Sequence, residues 1–237
     1  MNKQHGNQEK TTGVAINMDG VIAIVSPDDA VFKPGELGAV LEWTITRPDG
    51  TVREHKVKKS ESYLRQFMEL LMVQMLAASE VLPSFIRDVT NTLREVAVSA
   101  LNFQCTAAAN DDSYGIVVGT GNTPPTINDY ALQTKVAHGN GAGQVQYGGV
   151  TFGLPTSNTT TSHFTVTRNF SNVSGNPVVI YEMGLYVKGD NPLPWISHRY
   201  SQSYRYNFCT IRDVIPAGIT ILNGETLTIN YRQQCLV

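Results

Sequence analysis

The 237-residue chain is long enough to bury a core as one large domain or as two small ones, and its 41% hydrophobic residues are ordinary for a globular protein. Only 16% are charged, against about a quarter in a typical domain, and 18 lysines and arginines nearly balance 20 aspartates and glutamates. With no basic stripe beyond Lys56, Lys58 and Lys59, that balance excludes nucleic-acid binding by phosphate neutralisation, and the short lysine run reads as the solvated end of a strand.

A surface built mainly of Ser, Thr, Asn, Gln and Gly suits a β-protein whose faces are covered by other subunits, because burying a neutral polar group costs less than burying a charge. The N-terminal Met1-Asn2-Lys3-Gln4-His5 lacks the apolar stretch of a secretory signal, which predicts synthesis and assembly in the cytoplasm. The longest apolar region, Leu64 to Ala78, carries Arg65, Gln66, Glu69 and Gln74 and is too short and too polar to span a bilayer. Cys105, Cys209 and Cys235 are odd in number and too far apart for a zinc motif, so they read as reduced thiols. Cys235, near the C-terminus, leaves open a cross-link between neighbouring subunits under oxidising conditions.

In chain order, residues 1–12 have no periodicity and are expected to form a flexible arm. Residues 13–100 read as β-hairpins plus helices. Val14 to Val25, broken by Asp19-Gly20, predicts two short strands. Leu41, Trp43 and Ile45 alternate with Glu42, Thr44 and Thr46, the period of a half-buried strand, and Arg47-Pro48-Asp49-Gly50 supplies the turn into a return strand from Thr51 to Val57. After Ser60, placed as a helix cap, Tyr63, Leu64, Phe67, Leu70, Leu71 and Met75 build the apolar stripe of a helix over about 61–79. Phe85, Ile86, Val89, Leu93 and Val96 share helical spacing, which predicts a second helix from Pro83 or Ser84 to about 98.

From Leu101 to Val237 the pattern is that of an antiparallel β-sandwich domain. Strands are expected at Tyr114–Val118, Gln144–Phe152, His163–Phe170, Val178–Val187, Tyr204–Ile215 and Thr226–Tyr231, separated by Gly, Pro and Asn clusters. The fold class is therefore mainly β with a helical insertion (α+β).

Four features recur in a fixed order. They are Trp43 with the Asp49-Gly50 turn, a helix containing Phe67 and Leu71, the stretch Tyr114-Gly115-Ile116-Val117-Val118-Gly119-Thr120-Gly121 followed by Tyr130-Ala131-Leu132, and Glu182-Met183-Gly184-Leu185-Tyr186. Each is short, and it is their order that resembles a group of tailed-bacteriophage structural proteins of tail, collar and fibre-attachment type, with a G-T-G loop and an E-x-G-L-Y strand. The resemblance covers most of the chain from about residue 40. It implies a non-enzymatic virion component without cofactor, assembling with copies of itself as a homo-oligomer and with other virion proteins. It implies no membrane and no nucleic-acid partner, and localisation to the virion. The chain has no repetitive shaft and no large receptor-binding tip, so an adaptor, tail or head-surface role stands ahead of host recognition. A capsid decoration protein and a carbohydrate-binding module or depolymerase remain the alternatives.

The candidate residues follow from the same reading. Gly119-Thr120-Gly121-Asn122 looks like a phosphate loop but lacks the Gly-Lys-Ser/Thr ending and runs into Thr123-Pro124-Pro125, so its glycines are read as a tight strand-to-loop turn. The five histidines, at positions 5, 55, 138, 163 and 198, have no metal-ligand spacing, and His138 in its glycine-rich segment reads as structural. Glu182 interrupts an apolar run and has no evident partner carboxylate for acid catalysis, so a register-fixing ion pair with an arginine such as Arg168 on an adjacent strand, or acceptance of backbone N–H bonds, is expected. Gly184 is expected at a bulge or close backbone approach, with Tyr186 beside it. Trp195, Tyr200, Tyr204, Tyr206 and Phe208, interleaved with His198, Arg199 and Arg205, form an aromatic cluster suited to a protein interface.

Overall fold

The computed structural model describes residues 15–16, 22–23, 32–61, 63–76, 84–190 and 205–237. The arm at residues 1–12 and the turn Asp19-Gly20 lie outside them. The short strands predicted around that turn are present as β1 (Ala15–Ile16) and β2 (Ile22–Ala23), paired antiparallel.

Alternation carries through into β3 (Leu37–Thr46), where Leu41, Trp43 and Ile45 are buried and Glu42, Thr44 and Thr46 are half-buried. The turn is locked by Asp49, whose carboxylate accepts the Thr51 N–H at 2.9 Å and the Thr51 hydroxyl at 2.7 Å, and the chain returns as β4 (Val52–Lys59).

The helical insertion is one helix, α1 (Arg65–Leu76), shorter than the 61–79 expected. Ser60 is not its cap. The Ser60 hydroxyl donates to Asp213 Oδ2 at 2.7 Å and the Glu61 N–H to Asp213 Oδ1 at 2.6 Å, while Leu64 N–H donates to Thr210 O at 2.8 Å. Tyr63 forms a β-bridge with Ile211 and the helix begins only at Arg65, and residues 77–79 fall outside the described part.

The second helix expected over 83–98 is a β-hairpin, β5 (Ser84–Arg87) and β6 (Leu93–Val96). Its turn is organised by Asp88, which is buried. Oδ1 accepts the backbone N–H groups of Thr90 at 2.8 Å and Thr92 at 3.0 Å and the Thr90 hydroxyl at 2.7 Å, while Oδ2 accepts from Arg94 Nε at 2.7 Å. A side chain that captures the amides of the next turn competes with helix propagation. The apolar residues divide accordingly, Ile86 and Val96 into the core and Phe85 and Leu93 outward.

The remaining strands are β7 (Gly115–Gly119), β8 (Gln146–Tyr147), β9 (Thr151–Phe152), β10 (Thr156–Ser157), β11 (Thr161–Ser171), β12 (Val178–Asp190), β13 (Arg205–Ile221) and β14 (Thr226–Leu236). One sheet runs β10-β11-β14-β3-β4, with β8 and β9 also pairing β11, and a second runs β13-β12-β7. Because β3 pairs along β14, segments on either side of residue 100 share one sheet. The two sheets close on a single core to which Trp43, Val166, Phe170 and Tyr231 contribute from one side and Ile116, Met183, Ile211 and Ile219 from the other.

Asp88→Ala removes the carboxylate that answers two amides of the β5–β6 turn, the Thr90 hydroxyl and Arg94, and is expected to cost about 1–3 kcal/mol. A urea-unfolding midpoint below that of the wild type is the expected reading, and an unchanged midpoint would contradict the role given to Asp88.

Candidate functional site

Glu182 sits mid-strand on β12 with its side chain fully buried. Oε1 accepts the N–H groups of Gly121 at 3.1 Å and Thr134 at 2.8 Å, and Oε2 accepts the N–H of Gln133 at 3.0 Å and Nε of Arg212 at 2.9 Å. Four donors thus answer one carboxylate. The expected buried ion pair with an arginine of an adjacent strand is present, but the arginine is Arg212 on β13 and not Arg168, which lies on β11 in the other sheet. Arg212 also donates to Asp129 Oδ2 at 2.7 Å and to Thr123 O at 3.1 Å. Burial works against the Arg212 charge, but hydrogen bonds and charges from Glu182 and Asp129 outweigh it and leave its pKa above the ordinary value.

Both sequence motifs meet at this carboxylate. Residues 182, 184 and 186 share one face of β12 by strand alternation. A Cβ on Gly119 would stand 2.7 Å from Glu182 Oε1 and 2.6 Å from Thr134 O, and one on Gly121 would stand 2.6 Å from Glu182 Oε1. At Gly184 a Cβ would come within 2.8 Å of Ile211 O and 3.1 Å of a Leu132 methyl group, so the close approach expected there is present. The Tyr186 hydroxyl accepts the Leu132 N–H at 2.7 Å. Segment 119–134 is therefore fastened over β12 by Glu182, Gly184 and Tyr186 together.

This geometry explains why the G-T-G stretch is no phosphate loop. The Gly121 N–H already binds a carboxylate of the protein itself, and a second anion there would be repelled.

The other candidates are structural in their contacts. Trp43 packs in the core and its indole N–H donates to Glu54 Oε1 at 3.0 Å. Arg168 is buried with no carboxylate paired to it among the described residues, and its guanidinium lies 4.8 Å from the Tyr147 ring centroid. It donates to the carbonyls of Gly148 at 2.8 Å and of Tyr114 and Ile116 at 2.9 Å each, and also to Ala108 and Asp111, tying β11 to the start of β7. Desolvation lowers its pKa, opposed by nearby Tyr147 and acidic groups. Tyr206 lies under the Arg94 guanidinium, 4.0 Å from its ring centroid, and Phe208 is core, while Trp195, Tyr200 and Tyr204 lie outside the described residues. His138 Nδ1 accepts the Tyr147 N–H at 3.1 Å, and among the described residues no group of metal-ligating side chains gathers.

Lys56, Lys58 and Lys59 pair with Glu54, Glu61 and Glu36. Burial pushes the Cys105 thiol up to about 12 and that of Cys209 well above its ordinary value, so neither is poised as a nucleophile; Cys235 is exposed.

Sequence reasoning missed Arg212 and its neighbour Asp213. Asp213 accepts from Tyr231 OH at 2.9 Å as well as from Ser60 and Glu61, and so clamps the two sheets together; burial raises its pKa, against the lowering effect of those donors. The signal was available: an Arg-Asp pair inside the apolar run Phe208 to Ile215 demands buried partners.

Set against known proteins, the chain matches no family model, no curated protein and no solved structure.

Glu182→Ala takes the acceptor from three amides and from Arg212 Nε and is expected to cost about 3–5 kcal/mol, whereas Tyr186→Phe removes one acceptor and should cost about 1 kcal/mol. Chemical denaturation of both variants checks the ranking. A smaller loss for Glu182→Ala than for Tyr186→Phe would contradict the anchor.

Proposed function

We propose that the chain is a non-enzymatic structural component of a tailed-bacteriophage particle, of tail, collar or adaptor type, which assembles through contacts between subunits. The particle class rests on the ordered motifs, whose G-T-G and E-x-G-L-Y elements act as one anchor in the fold. The mode of action rests on a single observation, an apolar end of a sheet face that the described residues leave uncovered. Leu37, Phe164 and Phe152 stand on the core-facing side of the larger sheet, in line with Ala39, Val166 and Phe170, yet are 55%, 38% and 46% exposed. Cys235 is paired directly with Leu37 on the neighbouring strand. Exposed apolar surface contiguous with a core face is what a subunit contact covers.

The test is to quantify the wild-type and Phe164→Asp chains in purified particles. A fixed wild-type stoichiometry in multiples of about six or twelve, lost in a variant that still folds, is the expected result. Hundreds of copies would move the protein to the capsid surface, and absence from particles would contradict the proposal.

A further inference from the structure

The two long edges of the sandwich differ in shape. On one, β11 lies over β7, and Arg168 of β11 donates to Ile116 O at 2.9 Å. This edge carries a protrusion. β9 and β10 both pair with β11, and the turn between them holds Leu154 out at 89% exposure, two residues beyond Phe152. Phe152 in turn stacks on Phe164, their ring centroids 6.4 Å apart. Residues 151–161 contain no charged side chain. An apolar protrusion held by a strand on each side docks with little loss of chain entropy.

On the other edge β4 lies beside β13, and Lys58 Nζ donates to Val214 O at 3.3 Å. Here the surface forms a hollow of about 410 Å³. One wall is the outer part of the segment fastened by Glu182, namely Pro124, Pro125 and Ile127, and the facing wall is Val214 and Pro216 of β13. That first wall is fixed in place: Arg212 donates to Thr123 O at 3.1 Å and to Asp129 at 2.7 Å, and the Arg65 N–H to Ile127 O at 3.1 Å. The charged member of the lining, Glu61, is answered by Lys58 at 2.8 Å. Three prolines have no N–H to offer, so the hollow suits an apolar side chain and not a ligand that must be hydrogen-bonded.

We infer that the hollow receives the Leu154 protrusion of a second copy of this chain, in a head-to-tail contact. The two surfaces match in chemistry, since both are apolar and neither brings an unanswered charge. They also lie on opposite edges of one molecule. A twofold pair would bring like surfaces together, whereas joining unlike surfaces repeats from copy to copy and closes a ring when the rotation allows. The inference rests on the proposed role as a tail, collar or adaptor subunit, and gives that role its contact. It also gives the buried Glu182–Arg212 pair a use outside the core, because that pair holds one wall of the hollow.

The experiment is sedimentation equilibrium of the full chain as wild type, Leu154→Asp, Ile127→Asp and an equal mixture of the two variants. Leu154 and Ile127 are 89% and 57% exposed, so both variants are expected to keep the wild-type melting temperature. Should Ile127→Asp lower it, Pro216→Glu on the facing wall takes its place. The wild type is expected to self-associate beyond a dimer with Kd of about 0.1 mM or tighter, and each variant alone to associate about tenfold more weakly or worse. The mixture is expected to form dimers and stop there, because one variant keeps its hollow and the other its protrusion. A wild type still monomeric at about 1 mM overturns the inference, as does a mixture that stays monomeric, or an Ile127→Asp chain that associates like the wild type. If a monomeric wild type is nonetheless found at fixed stoichiometry in particles, the proposed function stands and this contact falls.

Discussion

A fully buried carboxylate in the middle of a strand can be held only if donors from elsewhere in the chain answer its charge, and at Glu182 they come from three separate places. Gly121 reaches it from the loop after β7, Gln133 and Thr134 from the return of that loop, and Arg212 from the neighbouring strand β13. Neither β7 nor β13 needs Glu182 in order to pair with β12. What depends on it is the course of residues 120–134, which hydrogen-bond to the rest of the protein through it, Tyr186, Arg212, the Arg65 N–H and β7. Gly119 and Gly121 leave no room for a side chain because the carboxylate and the Gln133–Thr134 segment occupy that space.

Two other buried charged residues solve the same problem differently. Arg168 donates to backbone carbonyls, stacks on Tyr147 and joins β11 to the segment leading into β7. Asp213 gathers a hydroxyl from each of two separate elements, Ser60 and Tyr231, and an amide from Glu61. Each connects parts of the chain that the hydrophobic core brings together without fixing their relative position. Apolar packing is non-directional, whereas a buried charge tolerates only the register that satisfies it.

Much of the sheet was legible because alternation reports burial directly, as at Leu41, Trp43 and Ile45, and because Asp49-Gly50 fixes its turn locally. The helix at Phe67 and Leu70 was legible for the same reason. The hairpin at 84–96 was not, because Phe85, Ile86, Val89, Leu93 and Val96 satisfy helical spacing as well as a hairpin with two faces, and the deciding side chain, Asp88, acts through backbone amides that periodicity does not register. The need for a partner at Glu182 was readable from its apolar surroundings. Which arginine supplies it was not, since the pairing of β12 with β13 sets Gly184 opposite Arg212 and places Arg168 across the core. Long-range register is a property of the assembled sheets, and no local pattern around residue 182 encodes it.

The central claim is that Glu182 holds segment 119–134 in place. Hydrogen exchange followed by mass spectrometry on the wild type and Glu182→Gln tests it most directly, because Gln preserves the side chain's size while removing the negative charge. The account predicts that amides of residues 119–134 lose protection in the variant while those of β11 and β14 keep theirs. Equal protection of that segment in both proteins, or a uniform loss across the whole chain, would contradict it.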